Sequence, residues 1–301
     1  MQNTLLVVTG PTGVGKTDVS ISLASFFGTE IISCDSRQFY REIPVGTCAP
    51  SEEQLWKTRH HFVGNLSVRD YYSASLFERD VLALLGVLFK QHDLVIMAGG
   101  SGMYIDAVCH GIDDIPDVDP MIREKYVMKY REEGIEGLRA ELKLLDPVHF
   151  KKVDLRNYKR IIRALEICAT TGMPYSSFMK MEKRRREFRI IKTGIELPRR
   201  ELFERINRRV DTMICNGLEE EARLLFDLRN LNALNTVGYK ELFSYFEGKT
   251  DRETAIELIK RNTRRYAKRQ MTWWARDKDI RWFNPGDLQQ IIDYVTGRLA
   301  D

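Results

Sequence analysis

Residues 10–17 read GPTGVGKT and follow the apolar run TLLVVT. Glycines at this spacing let successive backbone N–H groups turn inward around an anion, and the start of a helix adds favourable potential. Lys16 supplies a point charge, and the Thr17 hydroxyl is able to ligate Mg²⁺. Gly10, Pro11, Thr12, Gly13, Val14, Gly15, Lys16 and Thr17 therefore form a cradle for phosphates. The pattern does not say whose phosphates. Kinases, ATPases and GTPases use such a loop, and any other diphosphate would also fit.

A nucleotide hydrolase also needs a carboxylate at the end of a neighbouring strand to help hold its metal. The run LVIMAGG ends instead in glycines, followed by Ser101. The strand-terminal carboxylate nearby is Asp35, in IISCDSRQFY. Three roles are open to it from the residues alone: partner to a metal, acceptor of a substrate proton, or structural cap of a helix. Cys34, Cys48, Cys109, Cys168 and Cys215 are scattered, with no CxxC pair, which points to a reducing compartment and away from a zinc site.

These residues need elements to hold them. TLLVVTG, EIISCDS and DLVIMAGG are apolar runs of strand length, buried on both faces. TDVSISLASFFG and DYYSASLFERDVLALLGVLFKQH carry helical spacing between them. This alternation predicts a doubly wound α/β sheet with its ligand at the carboxyl ends of the strands. The opening run reads as the first strand, not as a signal peptide. The Pro- and Asp-rich HGIDDIPDVDP then marks a linker, and only helical patterns follow until FRIIKTGIELP returns a strand. The expected organisation is a core of residues 1–113 and 189–301 interrupted by a helical insertion, 114–188.

With 43% apolar and 30% charged residues among 301, the chain is that of a globular protein, and no apolar run is long enough to cross a bilayer. The net charge of +4 conceals an asymmetry. Residues 151–192 carry +9 and residues 252–281 carry +6, against −11 in the remainder. Two basic segments set in an acidic background predict a polyanionic partner such as nucleic acid. Tyr266, Trp273 and Trp274 lie among the tail's arginines and lysines, where stacking and phosphate contact would combine, although tryptophans at this spacing also suit a core. KMEKRRREFR (180–189) reads either as a solvated face or as an RNA contact.

GPTGVGKT, DSRQFYREIPVGTCAPS, HHFVG, AGGSGMYIDAV, NYKRIIRALEICATTGMPYS and TVGYKE occur in this order across nearly the whole chain. The ordered set resembles the tRNA dimethylallyltransferases (isopentenyl-tRNA transferases) of bacterial type. The resemblance implies a P-loop, nucleotide-kinase-like parallel sheet with a helical insertion that grips the anticodon stem-loop and a helical C-terminal part. It implies transfer of a prenyl group from dimethylallyl diphosphate to N6 of adenosine 37 of tRNA, with Mg²⁺ as cofactor. The phosphate loop would then hold the donor's diphosphate, with Asp35, Lys16, Ser101 and Arg209 catalytic. Arg205 and Arg208 lie close enough to Arg209 to compete for its role. Asp35, Ser36, Arg37, Gln38 and Ser101 would face RNA, as would Arg123, Lys159, Arg160, Ile161, Ile162, Arg163, Gly238, Tyr239 and Lys240. Ser101 stands where many members have Thr, and Lys240 where Arg is commoner, which weakens a bidentate phosphate contact. No Cys/His zinc module of the kind some eukaryotic relatives carry is visible. A cytoplasmic monomer without membrane attachment is expected.

Three rival readings share parts of this pattern. An adenylate isopentenyltransferase shares the loop and the Asp but has no use for two basic segments. A nucleotide kinase shares the loop and the fold. A nucleotide-gated RNA-binding protein would need a strand-end switch carboxylate that the sequence does not offer.

Overall fold

Every residue of the run Thr4–Thr9 is buried, as a strand covered on both faces must be. Leu6 and Val8 enter one hydrophobic core and Leu5 and Val7 another, so the two-residue period of the strand feeds both sides of the sheet. The computed structural model describes residues 2–113, 115–116, 118–179 and 184–300. The chain runs β1 (Thr4–Thr9), α1 (Lys16–Phe27), β2 (Ile31–Ser33), α2 (Pro44–Thr47), α3 (Glu52–Lys57), β3 (His60–His61), α4 (Ala74–Leu88), β4 (Leu94–Gly99) and α5 (Gly102–His110). Three helices follow: α6 (Pro120–Leu145), α7 (Pro147–Phe150) and α8 (Tyr158–Thr171). The remainder is β5 (Arg189–Ile195), α9 (Arg199–Cys215), α10 (Leu218–Leu224), α11 (Tyr239–Phe246), α12 (Arg252–Trp274), β6 (Arg281–Phe283) and α13 (Leu288–Ala300).

The strands form one six-stranded sheet in the order β3-β2-β4-β1-β5-β6. All pairings are parallel, and Thr9 is level with both Gly99 of β4 and Gly194 of β5. The carboxyl ends of β1 and β4 therefore open side by side, with β2 next to β4. Strand order reverses about β1, the place where doubly wound sheets hold ligands. Close approach is enforced by glycine: a Cβ on Gly99 would lie 1.9 Å from the Cys34 carbonyl oxygen, and one on Gly10 2.3 Å from that of Ile195.

The chain divides into two compact units, Met1–His110 with Arg185–Asp301, and Gly111–Arg184. The second unit's limits precede the expected 114 and 188 by a few residues. Helix α5 continues to His110, and Arg186 is bound within the first unit by the buried Glu78 and by the carbonyls of Ala107 and Val108. The second unit has its own core of Tyr126, Leu138, Leu142, Ile161, Ile162 and Leu165. Within the first unit, α9–α12 build a further core around Tyr239, Leu234, Leu242 and Val210.

Candidate active site

The turn after β1 leads directly into α1, so the helix N-terminus faces the space at the strand ends. Val14 is buried and pins the loop to the core, leaving its neighbours' backbone free to turn outward. Lys16 folds back along the loop, its Nζ donating to the carbonyls of Gly10 at 2.9 Å and Pro11 at 2.8 Å. Burial of the ammonium lowers its pKa to about 8; the Asp35 carboxylate opposes that fall and the Arg209 guanidinium adds to it.

Asp35 follows β2 and shapes its own turn, with Oδ1 accepting from Arg37 N–H at 3.0 Å and its carbonyl from Gln38 N–H at 3.1 Å. The hydroxyl of Ser101, buried at the start of α5, accepts from Ser36 N–H at 2.9 Å and lies 3.2 Å from the Ser36 hydroxyl. The ends of β2 and β4 are thereby tied at the residue next to Asp35. Tyr266 of α12 stands near Asp35, and burial of its phenol, followed by the Asp35 charge, pushes it up to about 12. Gln38 is turned inward, donating to the carbonyl of Cys48 at 3.1 Å and of Thr47 at 3.4 Å. Arg37 donates to the carbonyls of Asn232 and Ala233.

Of the three neighbouring arginines, Arg209 reaches the mouth of the loop. It donates to Thr12 Oγ1 at 3.0 Å, to the Thr47 carbonyl at 3.1 Å and to Cys48 Sγ at 2.9 Å. Arg205 touches the loop elsewhere, at the Val14 carbonyl, 3.1 Å away. The Arg208 carbonyl accepts from the Thr212 hydroxyl within α9.

Two cavities meet here. One, of about 620 Å³, is lined by Thr12, Gly13, Gly15, Lys16, Thr17, Asp35, Gln38, Cys48 and Arg209. The other, of about 350 Å³, is lined by Thr12, Asp35, Ser36, Arg37, Arg209, Lys240, Tyr266 and Arg269 among others. Thr12, Asp35 and Arg209 line both. Asp35 and Arg209 thus stand on the wall of a cavity floored by an anion cradle and on that of a second cavity edged by cations.

Burial differs widely among the residues expected to face RNA. Tyr239 is fully buried; its hydroxyl donates to Glu221 Oε1 at 2.5 Å, and Glu221 accepts from the N–H groups of Val45 and Gly46 at 2.8 Å each. Its side chain thereby supports the turn that carries Thr47 and Cys48. Ile161 and Ile162 are core residues of the second unit, and Gly238 is buried too. Lys159, Arg160 and Lys240 are exposed. Arg123 and Arg163 both pair with the buried Glu166 carboxylate, at 3.2 and 3.6 Å. Trp274 is core, whereas Trp273 is half-exposed and donates to Asp106 at 3.0 Å. Within 180–189, residues 180–183 lie outside the described residues, and Arg186 is a buried ion-pair partner of Glu78 rather than a solvated charge.

Sequence reasoning missed Gln270, whose amide bridges Thr12 and Gly100, and it missed Thr47, Cys48 and Glu221. For Gln270 the one signal was its place a helical turn after Tyr266 in a run of cations. Glu221 sits in GLEEEARLLF, which looks like a solvated acidic face.

A family model described as IPP transferase matches residues 38–277. The chain is similar to tRNA dimethylallyltransferase 2 of Parabacteroides distasonis, 54% identical over 297 residues that cover 99% of each chain. It is also similar to tRNA dimethylallyltransferase 1 of Porphyromonas gingivalis, 55% identical over 295 residues and 98% of each. Among solved structures, the full-length tRNA isopentenylpyrophosphate transferase of Bacillus halodurans matches with a TM-score of 0.73 at 32% identity, over 99% of this chain and 97% of that one. A eukaryotic dimethylallyltransferase described as acting on tRNA matches with a TM-score of 0.79 at 26% identity, over 99% of this chain and 77% of that one.

Proposed function

Because the chain belongs to the IPP transferase family, we propose that it moves a dimethylallyl group from dimethylallyl diphosphate to N6 of adenosine 37 of tRNA, releasing diphosphate. One observation carries this reading: Asp35 stands where the cavity of the phosphate loop meets a second cavity edged by Arg37, Lys240 and Arg269. Donor and acceptor then approach one carboxylate from opposite sides.

In the reaction the prenyl C1–O bond breaks, and its electron pair leaves with the diphosphate. The N6 lone pair forms the new bond to C1, and the N6 proton passes to Asp35. Allylic carbon bears developing positive charge well, so the protein's main task is to stabilise the departing anion. The loop's N–H groups, the Lys16 ammonium and the Arg209 guanidinium surround that charge without having to reorganise. Ser101 holds the turn that carries Asp35, through the N–H of Ser36. The adenine amine is weakly nucleophilic, and Asp35 orients it and takes its proton, a role of modest size. A stacked base does not reach this depth, so the nucleotide is turned out of the anticodon loop, which an unpaired loop base permits at low cost.

The Thr17 hydroxyl on the cavity wall fits Mg²⁺, which prefers few protein oxygens, substrate phosphates and retained waters. Bound there it would supply further neutralisation of the diphosphate. Arg123, Lys159, Arg160 and Arg163 of the second unit supply phosphate contacts along the anticodon stem-loop. The enzyme works as a monomer in the cytoplasm; among the described residues no helix is long and apolar enough to cross a membrane.

The test is label transfer. With labelled dimethylallyl diphosphate and tRNA, label enters tRNA with release of one diphosphate per group. Label entering AMP but not tRNA, or γ-phosphate transfer from ATP, would overturn the reading.

A further inference from the structure

Gln270 joins two parts of the site that lie far apart in the chain. Its Oε1 accepts from Thr12 N–H at 2.9 Å and its Nε2 donates to the Gly100 carbonyl at 2.8 Å. The amide has only one sensible orientation, since a backbone N–H only donates and a backbone carbonyl only accepts. Gln270 is buried while Lys268 and Arg269 beside it are exposed, so the helix turns one uncharged residue of a basic run inward. The fit is tight. A Cβ on Gly100 would lie 2.3 Å from Gln270 Nε2, so a side chain added there would have to displace the amide.

The two ends of the amide lead to different halves of the chemistry. Thr12 carries the hydroxyl that receives Arg209, and it belongs to the anion cradle. Gly100 precedes Ser101, whose hydroxyl holds Ser36 next to Asp35. Gln270 itself lines neither of the two cavities that meet at Asp35. We propose that Gln270 is a positioning residue that fixes the distance between the anion cradle and the Ser101–Asp35 side of the site. The inference rests on the functional reading above. Ground-state grip on the diphosphate uses the N–H groups further along the loop and is left largely intact without it. The spacing matters when the C–O bond stretches and both halves must act on one substrate.

Gln270→Leu keeps the bulk and removes both hydrogen bonds. Gln270→Glu keeps an acceptor for Thr12, but as a carboxylate it repels the Gly100 carbonyl; protonated, it makes both bonds again. The full-length protein is assayed for prenyl transfer to tRNA, with melting followed in parallel. For Gln270→Leu, kcat falls roughly 10–100-fold while donor KM stays within about threefold. For Gln270→Glu, the rate relative to wild type at the same pH recovers as pH is lowered from about 8 to about 6, because burial raises a carboxyl pKa. Unchanged kcat in the Leu variant overturns the inference. So does a loss that tracks the folded fraction in both variants, with no split between kcat and KM and no recovery in acid. If wild type itself moves no label to tRNA, the functional reading falls and this inference with it; loss confined to this inference shows as an active wild type with an equally active Leu variant.

Discussion

At Lys16 the ammonium faces the cavity on one side and the carbonyls of Gly10 and Pro11 on the other, and its pKa falls to about 8. The sign of the consequence is definite. Below that value the free enzyme meets the diphosphate with a cation, and above it with a neutral amine. Donor kcat/KM is therefore expected to fall about tenfold per pH unit above about 8. Lys16→Arg, slower overall, should lose this alkaline limb because guanidinium does not deprotonate there; a limb that survives the substitution would assign it to another group. Arg209→Ala removes the bonds to Thr12 and Thr47, with an expected loss of about 10²–10³ in donor kcat/KM by initial-rate measurement. The loop and Lys16 were legible in residue type and spacing, whereas Asp35 was legible from the residues only as a strand-end carboxylate with three roles open. The contact of Arg209 was legible only through family resemblance, since Arg205, Arg208 and Arg209 share one helical neighbourhood and only the fold chooses among them.

The elements were legible where burial leaves a long apolar run. β1, β4 and β5 announce themselves in this way, and the helices carry their periodicity. β3, with His60–His61, and β6, with Arg281–Phe283, do not, because short edge strands take their order from a neighbour's backbone and not from their own side chains. The turn at α2 is the clearest case of structure hidden from sequence. Glu221 caps it by accepting from Val45 and Gly46, and Tyr239 presses on it so closely that a Cβ on Gly46 would lie 2.2 Å from the Tyr239 hydroxyl. This turn presents the Thr47 carbonyl to Arg209. Tyr239→Phe leaves Glu221 short of one donor, and unfolding by denaturant should show a loss of about 1–2 kcal/mol. If Tyr239 contacted RNA instead, the same substitution would weaken tRNA binding and leave stability unchanged.

Over the whole molecule, the charge asymmetry predicts where a polyanion is gripped, but it does not distinguish cations that are free from those already paired. Arg186 is committed to Glu78, and Arg123 and Arg163 share the buried Glu166, whereas Lys159 and Arg160 are exposed. Reversing Arg163 would set a second carboxylate against Glu166 and test folding as much as binding. Lys159→Glu with Arg160→Glu avoids that pair. The double variant should raise the tRNA dissociation constant and reduce the slope of log K against log salt by about 1–2, as expected for one or two lost phosphate contacts. An unchanged slope would move the RNA contact elsewhere on the chain.

We propose that Asp35 serves the reaction where the two cavities meet, and single-turnover prenyl transfer by Asp35→Ala is the decisive measurement. The transfer rate should fall by roughly 10²–10⁴, with tRNA and donor dissociation constants within about threefold of wild type. Transfer at the wild-type rate, or a loss of tRNA and donor binding as large as the loss of rate, would contradict it.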